Sequence, residues 1–341
     1  MARPSRHIYV LTLLAVLFPF TACGSDDESG AAKAGDVVPA RAGVDTTGSP
    51  KGFLMVPSGR LDIRVGHPVL RLDEESTTDR EVRTAPEGGV FLGVTWTFGP
   101  AEMAAFDKVF GQPLPMEMTL TSGGKEYALA PPRLARTGAE SDAYYVAVEG
   151  DGEDAVINLE YAGVTQTIDL NTGKRETGEA KALYKLNAAK YSEEPIPCPS
   201  EGWIDEGDKV RTTFTCTRYG TVVVPFVDGE WAPKDSSFVV VGLSSSLTSF
   251  FEFNDNGGAA RYTVASSKEK SRLDGQPPTR VLEESEAAGA AMGALVFTVT
   301  GEIPETLVFH RTYSLVRQLV QGQIDAPYAR KVDVVGDLPL N

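Results

Sequence analysis

Short runs that alternate between apolar and polar residues recur along most of the chain from about residue 52 onward. The run 60–65 places Leu61, Ile63 and Val65 on one face, and the run 116–121 alternates in the same way. A period of two residues is typical of a half-buried β-strand, whereas an amphipathic helix repeats every three or four residues. The pattern therefore predicts a chain built mainly from strands.

Seven such runs fall in the first half of the chain. They are 60–65, 90–98, 116–121, 125–129, 143–148, 155–161 and 164–170. Glycine-containing links at 122–124 and 162–163 are typical of hairpins. Parallel strands need long crossover connections, and little helical sequence separates these runs, so the pattern favours an antiparallel sandwich. One or two helical turns are predicted at 100–109.

The second half repeats the strand pattern. Its runs are 209–217, 220–227, 237–243, 248–253, 260–265, 294–300 and 306–313. The segment 280–291, rich in Glu and Ala, is the best helix candidate there. Between the halves, residues 171–200 lose the alternation and end in three closely spaced prolines, which favour an extended connector. We expect an all-β protein with two antiparallel β-sandwich domains, at 52–190 and 191–335.

The N-terminus carries a different signal. Arg3 and Arg6 precede an apolar run of 13 residues at 8–20. A membrane-spanning helix needs about 20 apolar residues, so a run of this length is typical of a signal peptide. An ordinary secretory cleavage site carries small residues at alternate positions, and Phe20 is bulky. The segment therefore predicts export with an unusual cleavage site.

The tetrapeptide at 20–23, Phe-Thr-Ala-Cys, resembles the lipobox of bacterial lipoproteins, with Phe20 where that pattern prefers Leu. The resemblance implies a signal peptide at 1–22 and a diacylglyceryl group on Cys23. The polar stretch that follows cannot bury enough surface to become ordered, so residues 23–51 are expected to form a lipid-anchored flexible tether. Plain secretion and an uncleaved anchor stay open. The two halves are also similar in pattern to the immunoglobulin-like sandwich domains of actinobacterial exported proteins, without their Cys…Trp…Cys spacing.

The net charge limits the classes of partner, and the cysteine count indicates the redox state of the chain. The formal net charge is −15, and loss of Arg3 and Arg6 with the signal peptide brings it to −17. Such a surface repels nucleic acid and anionic lipid headgroups. Cys198 and Cys216 form an even pair in an exported chain, which predicts one disulfide. A metal site or a redox pair is the alternative, but no further ligands cluster nearby and the C-x-x-C spacing is absent.

Motifs for catalysis are missing from the sequence. The expected mature chain has only His67 and His310, and no G-x-S-x-G motif is present. The segment 252–263 begins like an EF-hand loop but ends in Thr263, where the motif needs an acidic residue. The acidic stretches 73–75 and 151–154 are expected to be solvated turns rather than Ca²⁺ sites.

These observations predict a lipid-anchored cell-envelope protein that acts as a non-catalytic binding or structural module, without cofactor, metal or nucleic acid. Its expected partners are the membrane, through the lipid, and an envelope protein or glycan. An exposed aromatic patch would mark such a surface, although most aromatic side chains are expected in the core. The candidates are Trp96, Trp203, Trp231, Phe250 and Phe251. The alternative is an extracytoplasmic hydrolase, or a carrier of a ligand or metal between the domains.

Overall fold

The protein is all-β in a computed structural model. The structure describes residues 30–47, 50–100, 103–132, 138–186, 194–204, 207–287 and 289–340. Helical structure in these ranges is limited to α1 and two 3₁₀ helices. They are the 3₁₀ helix Ala104–Phe106, α1 at Asp107–Phe110 and the 3₁₀ helix Gly178–Lys185. The helical turns predicted near 100–109 are thus confirmed, and antiparallel sheets make up the body of the molecule.

Two five-stranded antiparallel sheets form the N-terminal half. The first has the spatial order β1-β9-β6-β3-β2. Its strands are β1 Val37–Pro39, β2 Gly52–Val56, β3 Gly59–Val65, β6 Gly89–Gly99 and β9 Glu140–Glu149. The second has the order β12-β11-β10-β7-β8. Its strands are β7 Met116–Ser122, β8 Lys125–Leu129, β10 Val156–Tyr161, β11 Val164–Asp169 and β12 Arg175–Glu176.

Alternate side chains of both sheets meet in one hydrophobic core. Leu61 and Ile63 of β3 enter it from one sheet, and Met118 and Leu120 of β7 enter it from the other. These are among the positions that the period-two pattern places on a buried face. The N-terminal half is therefore a β-sandwich, as the sequence predicts.

Part of the stretch expected to be a tether belongs to this fold. β1 pairs with β9, and Val38 is buried in a small cluster with Phe91 and Ala147. A two-stranded ribbon, β4 Arg71–Leu72 with β5 Arg83–Thr84, covers the same cluster. The expectation of a flexible tether through residue 51 therefore differs from the structure, because the short apolar run of β1 finds partners far along the chain.

The C-terminal half is dominated by one nine-stranded antiparallel sheet. Its strands are β13 Ile196–Pro197, β14 Val210–Val224, β17 Ser236–Phe253, β18 Ala259–Glu269, β19 Arg272–Leu273, β20 Arg280–Ala287, β21 Ala290–Thr300, β22 Thr306–Gln321 and β23 Ala329–Pro339. A separate hairpin consists of β15 Phe226–Val227 and β16 Glu230–Trp231. Pairs of predicted runs merge into the long strands β14 and β17.

β17 organises this sheet. It pairs with β14 along one edge, and along the other edge with β21 in its first part and β18 in its last part. Side chains of β17 and β21 share a core with those of β22 and β23, so the sheet folds over on itself. Val239 and Val241 point into this second core, whereas Val240 between them points into the first. β17 is therefore buried on both faces in its first part.

The helix predicted over 280–291 is wrong. β20 and β21 form a hairpin there, with Leu282 paired to Ala294. Glu and Ala have high intrinsic helix propensities, but these amount to less than about 1 kcal/mol per residue, and pairing in a sheet overrides them.

A hairpin joins the two halves. The ring of Phe226 lies 5.7 Å from that of Tyr161 and 5.0 Å from that of Trp231 between centroids. Trp231 Nε1 donates to the carbonyl of Tyr161 at 3.0 Å. Phe226 and Val240 belong to the same core as the N-terminal sandwich, so the halves are packed together through an apolar junction. The boundary expected near residue 190 falls at 187–193, outside the described residues.

Candidate functional site

A trough crosses four neighbouring strands of the C-terminal sheet close to this junction. Gly242 of β17 is paired with Ala294 of β21, and Ala294 is paired with Leu282 of β20. On the other side of β17, Tyr219 of β14 lies over Gly242, where an added Cβ atom would be 3.2 Å from the Tyr219 Cβ. Across the four strands, a large side chain at Tyr219 is followed by none at Gly242, a methyl group at Ala294 and a large side chain at Leu282. Because strands are about 4.8 Å apart, the two small positions leave a depression about two strands wide.

The neighbouring rows close the two ends of the trough. At the inner end Val240 and Val296 form a cross-strand pair whose side chains are buried in the core of the junction. At the outer end Met292 is 53% exposed. A methionine side chain is flexible and polarisable and adapts to irregular apolar partners. The trough is therefore closed at one end by packed valines and open to solvent at the other end, beside the flexible Met292 side chain.

α1 of the N-terminal half supplies the side of the trough. Lys108 and Val109 line it together with the strand residues, and the enclosed space is about 490 Å³. We call this space the junction cleft. Pockets that hold small molecules enclose about 300–1,000 Å³ and are lined mainly by apolar groups with few polar ones. Here the polar groups are the Lys108 ammonium and the Tyr219 phenol, and all other lining side chains are apolar or absent.

A second groove of about 480 Å³ lies between the 3₁₀ helix Gly178–Lys185 and the segment 232–236. It carries three lysines, at 181, 185 and 234, and the carboxylates of Glu179 and Asp235. All five charged side chains are exposed. Mixed charges that already face water do not select one ligand class, so this groove is the weaker candidate.

One ion pair is buried in the C-terminal half. The side chains of Arg311 and Glu269 are 8% and 9% exposed, with Nη2 and Oε2 2.8 Å apart. Arg311 also donates to Ser267 Oγ at 2.9 Å, and the Glu269 carboxylate accepts the backbone N–H of Ser271 at 2.7 Å. The pair ties β18 to β22 and faces protein groups on several sides, which indicates a structural role.

The disulfide predicted between Cys198 and Cys216 is present in the structure. Cys198 and Cys216 lie at disulfide distance, with their Cα atoms 5.2 Å apart. The bridge holds the segment before β14 against the sheet, where Trp203 stacks on Phe309 with ring centroids 5.2 Å apart. Cys23, the expected lipidation site, lies outside the described residues.

The aromatic candidates divide between core and surface. Trp96 and Trp203 are buried, Trp231 is half-buried in the junction, and Phe250 is buried. Phe251 points to the opposite face of β17 and is half-exposed, as expected for adjacent strand residues. Core packing therefore accounts for most of them.

The histidines have separate surroundings. His67 is exposed. His310 Nε2 lies 2.9 Å from Asp333 Oδ1, so this histidine pairs with a carboxylate across β22 and β23. Hydrogen bonds from the Thr312 hydroxyl and from His310 lower the pKa of Asp333 below its usual value.

The acidic turn at 151–154 is organised by backbone bonds. The Asp154 carboxylate accepts the Gly123 N–H at 3.0 Å and the Ser122 hydroxyl at 3.1 Å, and the Gly123 bond is the main cause of its lowered pKa. Asp151 Oδ1 accepts the N–H of Glu153. In the ranges that the structure describes, no three His, Cys, Asp or Glu side chains are grouped to hold a metal ion.

The residues of the junction cleft are absent from the sequence-based candidates. Gly242 and Ala294 interrupt apolar runs that read simply as buried strands. They form a hollow only because β14, β17, β20 and β21, which are far apart in sequence, become neighbours in the sheet. No helix in the described part of the chain has the length and apolarity needed to cross a bilayer.

No protein-family model matches the sequence, and no curated protein matches it.

Proposed function

We propose that this chain is a lipid-anchored protein on the extracytoplasmic face of a cell membrane, and that it works as a non-catalytic binding module. In this proposal the junction cleft binds one small, predominantly apolar molecule. The observation that carries the proposal is the row Tyr219, Gly242, Ala294 and Leu282, in which a glycine and an alanine leave a hollow between two larger side chains.

The shape and lining of the cleft support the choice of ligand. A volume of about 490 Å³ suits a single small molecule or a short segment of an acyl chain. Burial of apolar ligand surface against Val240, Ala294 and Leu282 would supply most of the affinity, at roughly 25 cal/mol per Å². The phenol of Tyr219 and the ammonium of Lys108 would orient a polar end of the ligand.

The N-terminal segment supports the location. Signal-like residues lead to Cys23, and the pair Cys198 and Cys216 suits an oxidising compartment. A net charge of −15 gives no attraction to anionic headgroups. Stable membrane retention then needs two acyl chains, which a diacylglyceryl group supplies.

Mass spectrometry of the N-terminal peptide tests the anchor. Protein extracted from its native membrane should begin at Cys23 and carry the mass of a diacylglyceryl group. A Cys23→Ala form should lose this mass and leave the detergent-extracted membrane fraction. An unmodified N-terminus downstream of residue 23 would contradict the anchor and leave the cleft proposal standing.

Titration with N-phenyl-1-naphthylamine, a neutral apolar fluorophore, tests the cleft. The wild-type protein should bind one molecule per chain. Ala294→Phe fills the hollow and should weaken binding at least tenfold, which corresponds to about 1.4 kcal/mol. Ala290→Phe is the matched control, because it makes the same change at an exposed position of the same strand and should leave binding unchanged.

A second variant guards against misfolding of Ala294→Phe. Met292→Glu places a charge at the half-exposed mouth of the cleft without filling it, and it should also weaken binding of the neutral probe. Unchanged binding in both variants would refute the cleft as the site. Turnover of a candidate substrate by the purified protein would instead favour a hydrolase.

A further inference from the structure

The described chain begins at a defined corner of the N-terminal half. The carbonyl of Gly30 accepts the N–H of Thr84 at 2.9 Å, and the N–H of Ala32 donates to the carbonyl of Thr84 at 2.8 Å. Residue 30 is therefore fixed beside β5. Seven residue steps separate it from Cys23, and a chain spans at most about 3.3–3.6 Å per residue. The point of attachment of any lipid on Cys23 is thus at most about 25 Å from this corner.

Three exposed aliphatic residues lie near the same point. Leu70 is 69% exposed, Val82 39% and Val69 36%. A Cβ atom added to Gly30 would lie 3.2 Å from the carbonyl oxygen of Val82. Leu70 accepts the N–H of Ala85 on the next strand of the ribbon, so it lies about two strand spacings, or about 10 Å, from the chain at Gly30. We call Val69, Leu70 and Val82 the anchor corner.

Most charges of the ribbon at this corner are paired within it. The Arg83 guanidinium bonds the carboxylates of Asp79 at 2.6 Å and Glu81 at 2.8 Å, and Arg71 lies 3.4 Å from Asp73. The bond from Arg83 is the main cause of a lowered pKa at Asp79. Paired charges offer no basic patch for anionic headgroups. The corner is therefore suited to apolar contact rather than to electrostatic attraction.

We propose that the anchor corner rests on the bilayer beside the lipid and places Leu70 at the boundary between headgroups and acyl chains. This inference rests on the proposed lipid anchor at Cys23. Three aliphatic side chains would bind a bilayer only weakly alone. A lipid attached within about 25 Å makes the contact intramolecular and raises its effective concentration into the millimolar range or above. The protein would then stand in one orientation, with the ribbon facing the membrane.

Fluorescence quenching by brominated phosphatidylcholine tests this contact. The mature chain contains three cysteines, of which two form the disulfide, so the thiol of Cys23 can be coupled to a maleimide phospholipid in phosphatidylcholine vesicles. Leu70→Trp reports on the corner. Tyr328→Trp is the matched control, because Tyr328 is equally exposed, at 69%, in the C-terminal half.

We expect brominated lipid to remove about half or more of the fluorescence that Leu70→Trp adds, since apolar side chains at this boundary are buried about 5–10 Å into it, next to the acyl chains. The fluorescence added by Tyr328→Trp should not change. Equal quenching of both variants, no quenching of Leu70→Trp, or quenching that requires anionic lipid would overturn the inference. Because the lipid is attached chemically, a negative result would concern the corner alone and not natural modification of Cys23.

Discussion

At the scale of single residues, the buried pair of Arg311 and Glu269 shows how the C-terminal half tolerates full charges in its interior. Each charge has lost most of its contact with water. A buried ion pair adds little net stability over apolar side chains, but removal of one partner strands the other charge. Replacing one of the two residues therefore gives the clearest measure of how strongly the other charge depends on its partner.

Arg311→Met should destabilise the protein by about 3–5 kcal/mol, because the Glu269 carboxylate would remain buried without its partner. Urea unfolding would measure the change. The control is Lys125→Met, which breaks a pair with Glu149 whose side chains are 55% and 45% exposed, and it should cost less than about 1 kcal/mol. If the two substitutions lowered the free energy of unfolding equally, burial of the Arg311–Glu269 pair would have no effect on its contribution to stability.

Sequence and structure agree best at residues whose chemistry is local. The pairing of Cys198 with Cys216 could be predicted from their even number together with the expectation of export, and the alternation of Leu61 and Ile63 marks a buried face directly. The hollow at Gly242 and Ala294 could not be predicted, because it exists only where two distant strands meet in one register. A small residue within an apolar run gives no sign of what lies opposite.

At the scale of elements, the 3₁₀ helix Gly178–Lys185 buries Ala180 and Leu183 in the sandwich core, and Tyr184 adds hydrogen bonds to the sheets. The Tyr184 hydroxyl donates to Gln166 Oε1 at 2.6 Å and accepts the N–H of Met55 at 3.0 Å. Gln166, which is fully buried, donates to the carbonyl of Met55 at 2.7 Å. The three residues close a ring of hydrogen bonds between β2, β11 and the helix. Burial raises the pKa of Tyr184, so it stays neutral at physiological pH.

Tyr184→Phe removes both bonds of the hydroxyl and leaves the buried amide of Gln166 without its donor. We expect a loss of about 1–3 kcal/mol in the free energy of unfolding, measured by urea denaturation. Tyr328→Phe makes the same change at an exposed position and should stay within about 0.5 kcal/mol of wild type. A loss in Tyr184→Phe no larger than in this control would contradict the role of the ring.

Strand elements could be predicted from the sequence wherever alternation is strong, as in β3, β7 and β10. The prediction of secondary structure is wrong where the residue composition favours a helix but the segment pairs with a strand. Residues 280–291 carry helix-forming side chains, but β20 in this range pairs with β21, which in turn pairs with β17. β1 was missed because three residues in a polar stretch give no period. Both errors arise from partners that are distant in sequence.

At the scale of the whole molecule, the two halves act on one another through the junction. Phe226 and Val240 of the C-terminal half enter the core of the N-terminal sandwich, and α1 of the N-terminal half borders the cleft on the C-terminal sheet. The cleft is thus built by both halves. A ligand that binds only the folded form should stabilise them together, by an amount that rises with its concentration relative to Kd.

Native mass spectrometry of the protein extracted from its own membrane in a mild detergent is the most direct test of the central claim. If the junction cleft is the binding site, one apolar small molecule per chain should remain bound to the wild type and to Ala290→Phe, and none to Ala294→Phe. A wild-type protein without any such molecule, or equal occupancy in Ala294→Phe, would contradict it.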